Sequence, residues 1–169
     1  MTPTVKTTTL NSRTHTWATP TTPPADLSGL EFLQALMDGT IPPPPIAGTL
    51  GFTLVHVEPG VAIFEGETGE HQYNPLGSIH GGYYATLLDS ALGCAVMSRL
   101  PAGRAYTTTQ LGVHMVRPAF AHTGVLRCEA KAVHVGRTVA TAEARLVGAN
   151  DGKLYAHGTT TCAIFSIAP

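Results

Sequence analysis

Two features of this chain have the residue types and spacing for chemistry at a carbonyl: a glycine pair, Gly81-Gly82, and a lone carboxylate, Asp89. The segment Asn74-Pro75-Leu76-Gly77-Ser78-Ile79-His80-Gly81-Gly82 runs directly into a helical pattern. Ordinary packing does not demand two glycines there. The first N–H groups of a helix have no acceptor within it and carry the positive end of the macrodipole. Gly81, with no side chain to block approach, is thus a candidate donor to a developing oxyanion. A plain loop-to-helix junction that packs closely is the alternative reading of the same glycines.

Asp89 has no Lys or Arg three or four residues away in either direction, so nothing local pairs it. With Leu88 and Ala91 pointing to a sheet, a turn of roughly 100° per residue puts Asp89 on the side shared by Gly82, Ala85 and Gly93. Another surface can pack closely on such small residues, and a carboxylate partly desolvated there becomes a useful base. A solvated helix carboxylate is the alternative. Gly81 and Asp89 lie about 12 Å apart along a helix, so one carbonyl cannot touch both within one chain. If both serve one reaction, each comes from a different subunit, and a symmetric dimer with two composite sites is the expected assembly.

The elements that must position these residues follow from periodicity. Tyr84, Leu87, Leu88, Ala91, Leu92 and Ala95 recur at helical spacing, and Pro101 and Gly103 end the segment. Before it, Ser28 caps a short helix carrying Leu30, Leu33, Leu36 and Met37, which Gly39 stops. Pro42 to Pro45 predicts an extended, polyproline-like connection. From Leu50 the alternation of Leu50, Phe52 and Leu54, the turn Glu58-Pro59-Gly60 and the return from Val61 to Glu67 predict a hairpin. After the long helix, Tyr106 to Val116, Val125 to Val135, Thr138 to Val147 and Leu154 to Phe165 each alternate with period two. The short links Gly136-Arg137 and Asn150-Asp151-Gly152 make these strands antiparallel neighbours. An apolar sheet face covered by one helix gives two layers in an α+β fold.

Residues 1–27 read as a Thr/Pro-rich arm: the first 25 hold ten threonines, four prolines and no acidic residue, with only Lys6 and Arg13 for charge. Residues 28–169 read as a single domain. A net charge of -1 without any basic run argues against nucleic acid. No apolar stretch approaches a membrane span, and no secretory signal opens the chain, so the expectation is a soluble, cytoplasmic protein without membrane contact. Cys94, Cys128 and Cys162 are odd in number and sit in apolar or alternating segments, as core thiols do in a reducing compartment. None of the eight histidines stands in a metal-binding spacing, so no metal is expected.

Asn74-x-x-Gly77-x-x-His80-Gly81-Gly82, then Leu88-Asp89, then Thr107-Thr108 running into Arg117-Pro118, resembles the hotdog-fold acyl-CoA thioesterases of the PaaI-like group. The resemblance covers about residues 46–166. It implies a hotdog fold, one long central helix wrapped by a curved antiparallel sheet of about five to six strands, and homodimers that pair into homotetramers with sites at the subunit interface. It implies hydrolysis of an acyl-CoA, aromatic or of short-to-medium chain, to free acid and coenzyme A without cofactor or metal. By the match Asp89 is the base or nucleophile, Gly81 N–H the oxyanion donor, and Asn74 orients water or the thioester. His80 fixes the loop, and Thr108 aligns with a hydroxyl that supports the attacking water across the subunit boundary. By simple alternation, however, Thr108 shares a strand face with Gln110 and His114, opposite Leu111, Val113 and Met115.

Coenzyme A carries phosphates, which nominates Arg117 and Arg137 at the mouth of the site; the acyl pocket is expected to be lined by what packs beside Asp89: Tyr83, Tyr84 and residues at the helix end, with Gly82 as a further substrate-binding residue. A hotdog hydratase or dehydratase is one competing reading, but its catalytic-histidine motif is missing around His56, His114 and His134. A non-catalytic acyl-CoA sensor is another, although the arm is neither basic nor helical enough to serve as a DNA-binding module.

Overall fold

The computed structural model describes residues 9–19 and 24–167. Residues 9–19, the described part of the arm, carry neither helix nor strand. The arm lies along the body: the Arg13 guanidinium meets the His71 ring and comes close to Gly51. Helix α1 (Gly29–Met37) starts at Ser28, whose hydroxyl accepts from the Glu31 N–H while the Glu31 carboxylate accepts from the Ser28 N–H, a capping box that fixes its first turn.

The proline run differs from its expected form. Pro45 opens a short helix, α2 (Pro45–Leu50), closed by Gly51 in the left-handed region at φ 75°. A first-turn proline lacks only an N–H that would find no partner there, so the residue that reads as a helix breaker initiates one. Leu50 consequently ends a helix instead of opening a strand.

Among the described residues six antiparallel strands form one sheet: β1 (Phe52–Glu58), β2 (Val61–Glu67), β3 (Arg104–Met115), β4 (Val125–Val135), β5 (Val139–Gly148) and β6 (Leu154–Ser166). Their order is β1-β2-β4-β5-β6-β3. Helix α3 (Gly81–Met97) crosses the face built from Ala62, Phe64, Leu126, Cys128, Ala142, Leu146 and Cys162. Its own Leu87, Leu88, Ala91, Leu92 and Ala95 are completely buried against that face. Each such leucine contributes about 1.5–3 kcal/mol, enough to hold α3 in one register. This is the hotdog arrangement: one long helix wrapped by a curved antiparallel sheet. Cys128 and Cys162 are buried, Cys94 is half-buried, and all three are free.

The two sheet edges differ. β1 is short, bulged between Leu54 and His56, and flanked by α1 and α2. β3 is 12 residues long, pairs among the described residues only with β6, and carries no proline, lysine or carboxylate to blunt its outer edge. Among the described residues, no helix is long and apolar enough to cross a membrane.

Candidate active site

The loop before α3 is pinned by buried polar groups. Gln72 donates through Nε2 to the carbonyls of Leu50 (3.0 Å) and Glu67 (3.3 Å) and accepts from the Gly69 N–H at 3.0 Å. The Thr68 hydroxyl donates to the Phe120 carbonyl at 2.8 Å, and the Tyr73 hydroxyl accepts from the Ala121 N–H at 2.9 Å. Asn74 folds the next turn: Oδ1 accepts from Leu76 (2.8 Å) and Ser78 (3.3 Å), and Nδ2 donates to Ser78 Oγ at 2.9 Å. Its amide is thereby engaged within the loop of its own chain.

His80 is the N-cap of α3, with Nδ1 accepting from the Gly82 N–H at 2.8 Å and its carbonyl accepting from the Tyr83 N–H at 2.9 Å. The imidazole thus fixes the loop-to-helix junction. Among the described residues the Gly81 N–H has no acceptor, which leaves it free at the positive end of α3. A Cβ on Gly81 would lie 2.6 Å from Met115 Sδ. The end of β3 therefore lies against the helix start, and glycine is what permits the contact.

Half-buried Asp89 meets the middle of β3. Thr108 Oγ1 donates to its Oδ1 at 2.9 Å within the same chain. Simple alternation puts Thr108 on the outer face, and the structure corrects this. A β-bulge at Thr109 shifts the register between Thr108 and Gln110, so that Thr108 opposes Cys162 while Leu111 opposes Thr160. One extra residue flips every side chain before it, and Thr108 joins Leu111, Val113 and Met115 on the helix side. The small-residue stripe is likewise filled from within the chain at one point: a Cβ on Gly93 would stand 2.2 Å from the Tyr106 hydroxyl. Tyr106 has no signal of its own in the sequence, because it is one more alternating strand residue. Burial, with Cys94, Cys162 and Asp89 nearby, pushes its phenol well above the usual range.

Gly81 and Asp89 are the first and ninth residues of α3, about 12 Å apart along the axis. They do not meet within the chain. Tyr83 and Tyr84 are buried; among the described residues the Tyr83 hydroxyl has no hydrogen-bond partner, and that of Tyr84 donates to the Arg117 carbonyl at 3.3 Å. Gly82 is exposed and, with His80, Tyr83 and Arg13, lines a cleft beside the helix start. The two arginines do not share one mouth within a chain. Arg117 follows the end of β3 beside α3's start, its Nε donating to the Leu154 carbonyl at 3.3 Å. Arg137 lies in the β4–β5 turn, where its carbonyl accepts from Arg104 at the opposite end of β3. Among the described residues no three His, Cys, Asp or Glu side chains cluster as metal ligands.

Residues 76–155 match the model of the thioesterase superfamily. The chain is 32% identical over 109 residues to mouse acyl-coenzyme A thioesterase 13, across 64% of this chain and 76% of the relative. It is 45% identical over 73 residues to a protein of Halobacterium salinarum, of whose length it spans 46%, using 42% of its own. A solved phenylacetic acid degradation-related protein of Ralstonia eutropha superposes with a TM-score of 0.70 at 32% identity, covering 78% of this chain and 98% of that one. The chain belongs to the thioesterase superfamily and resembles its PaaI-like hotdog members.

Proposed function

We propose that this chain is an acyl-CoA thioesterase that works as a symmetric dimer, each site taking Asp89 from one subunit and Gly81 from the other. The observation that carries the reading is the pairing of Asp89 with Thr108 on an edge strand whose far end lies against Gly81. Antiparallel pairing of two β3 edges about a two-fold axis at Gly112 opposes Leu111 to Val113 and, past the bulge at Thr109, sets Thr108 opposite Met115 of the partner subunit. Asp89 then faces the partner's helix start. The same register carries Arg117 toward Arg104 and Arg137 of the partner subunit, gathering the phosphate-binding candidates that one chain keeps apart. Pairing of such dimers into a tetramer extends this reading.

In the reaction, the free Oδ2 of Asp89 takes a proton from water as the water oxygen attacks the thioester carbonyl carbon, while Thr108 holds Oδ1. The carbonyl oxygen becomes an oxyanion on the Gly81 N–H of the partner subunit, strengthened by the dipole of that α3. Collapse breaks the C–S bond, and the thiolate recovers the proton from Asp89, giving the acid and coenzyme A. Asn74 and His80 hold the loop that presents Gly81, and Gly82 leaves room beside it. No cofactor is required.

Free thiol release, followed across short, long and aromatic acyl-CoAs, tests the reading with wild type and Asp89→Asn compared at matched assembly. Turnover of at least one thioester, with a loss on the order of 100-fold in the variant, supports it. No thiol release from any substrate, or a variant equal to wild type, sinks it in favour of a sensor or a dehydratase.

A further inference from the structure

The cleft beside the start of α3 gathers basic groups that the proposed reaction leaves unused. Arg13 and His15 from the arm, His71 from the loop before α3 and His80 from its cap line it, and among the described residues no carboxylate does. The arm lies outside residues 76–155, the stretch that matches the family model, so Arg13 is an addition to the shared site.

The guanidinium is held in place without being neutralised. It donates to His71 Nε2, and Gly69 leaves room for that ring, since a Cβ there would stand 2.7 Å from His71 Nδ1. Burial, then Arg13, then His15, keeps the His71 imidazole below its ordinary range, so the ring is neutral at neutral pH and serves as an acceptor. Among the described residues no carboxylate comes within ion-pair distance of Arg13; Glu70 lines the neighbouring hollow instead. The threonine hydroxyls of the cleft are engaged within the chain, Thr49 donating to the Pro45 carbonyl at 3.0 Å and Thr86 to the Gly82 carbonyl at 2.9 Å. His80 Nδ1 accepts from the Gly82 N–H, so this ring adds no charge while it caps the helix. Tyr83 lines the same cleft; its buried hydroxyl has no partner among the described residues, and its phenol lies within reach of the Arg13 charge. What remains is a cleft with one permanent positive charge, on a fork whose other N–H donors are unused.

Resting on the thioesterase reading, we infer that Arg13 is a specificity-determining residue: its guanidinium takes the far carboxylate of a dicarboxylic acyl group, so that thioesters of α,ω-diacids are preferred to those of uncharged acids of equal length. Charge decides between this occupant and the phosphates of coenzyme A. A guanidinium fork matches one carboxylate in charge and geometry, whereas coenzyme A carries several negative charges. In the proposed dimer those phosphates already have Arg117 together with Arg104 and Arg137 of the partner subunit, along β3. Arg13 stands away from β3, beside Leu50 and His71, and is left to the acyl half of a thioester whose carbonyl sits at Gly81.

The test compares acyl groups matched in length, adipoyl-CoA with hexanoyl-CoA and suberoyl-CoA with octanoyl-CoA, on wild type, Arg13→Gln and Arg13→Lys. Arg13 is exposed, and thermal denaturation checks that the variants fold. The diacid-to-monoacid ratio of kcat/KM at the better length falls by on the order of 10-fold in Arg13→Gln, and Arg13→Lys keeps part of it. Binding is read separately by NMR: adipate shifts the His71 ring signals of wild type, and Arg13→Gln weakens that binding by a similar factor. A ratio that Arg13→Gln leaves unchanged, or adipate that leaves the His71 signals of wild type unmoved, overturns the inference. Coenzyme A moving those signals where adipate does not would assign the cleft to phosphate and overturn it too. If wild type hydrolyses no acyl-CoA yet binds adipate in a manner that Arg13→Gln loses, the thioesterase reading fails while the carboxylate site stands.

Discussion

Thr108→Val removes one hydroxyl and leaves the side chain's shape and β-branching intact. The hydrogen bond it deletes, 2.9 Å from Thr108 Oγ1 to Asp89 Oδ1, ends on a carboxylate at a half-buried position. Hydrogen bonds to charged groups contribute about 1.5–3 kcal/mol, and each 1.4 kcal/mol is about tenfold in rate. If Thr108 holds the base in line for water, kcat falls roughly 10- to 100-fold. KM moves by less than about threefold, because the hydroxyl faces the base and not the acyl-CoA. Thr108→Ser, which keeps the donor, restores most of kcat. Steady-state thiol release on all three proteins, with thermal denaturation to exclude unfolding, decides the matter. A folded Thr108→Val with wild-type kcat refutes the reasoning, and so does a Ser variant as slow as the Val variant.

Gly93→Ala places a Cβ 2.2 Å from the Tyr106 hydroxyl; overpacking of about 1–3 kcal/mol exceeds the helix-propensity gain of about 1 kcal/mol. Denaturant unfolding therefore shows a net loss of stability, part of which Tyr106→Phe recovers in the double variant, and a more stable Gly93→Ala contradicts the contact. Burial pushes the Cys94 thiol and the Tyr83 and Tyr84 phenols up to about 12 from ordinary values of 9.0 and 10.0. The folded chain keeps these protons where the unfolded chain releases them, so their stabilisation is fully present below pH 9.0 and is lost as pH rises toward about 12. Melting temperature measured from neutral pH to about 11 falls steeply above that onset, whereas a flat profile contradicts the burial.

The architecture was legible wherever one face of an element is buried. Alternation such as Ala140, Ala142, Ala144 and Leu146 marked β5, and Leu87, Leu88, Ala91 and Leu92 marked α3, because a dry face writes its period into the chain. Pro45 misled because the same ring that breaks a helix interior starts a helix at its first turn. Thr108 misled for a different reason. Thr107, Thr108 and Thr109 are identical in type, so nothing in the text says which one bulges, and the register against β6 decides it. Gly81 and Asp89 stood out by residue type and isolation, while the roles of Tyr106, Met115 and Arg13 arise from contacts between segments distant in sequence. Arg117 and Arg137 look equivalent as exposed basic residues, and only the length of β3 separates them.

The central claim is that each site draws Asp89 and Gly81 from different subunits, and subunit mixing tests it most directly. Gly81→Pro deletes the N–H donor at the first position of α3, where proline is tolerated once the flexible Met115 thioether moves aside for its ring, and His80 already has the extended backbone that must precede it, φ -63° and ψ 136°. Asp89→Asn and Gly81→Pro homodimers are each expected to be inactive. In a mixed dimer one site receives both defects and the other receives neither. After equal mixing and free reassortment, thiol release should recover to about a quarter of wild type, since about half of the dimers are mixed and each has one intact site. A mixture that reassorts yet stays as inactive as its parents would show that both residues act from one chain, and would contradict the account.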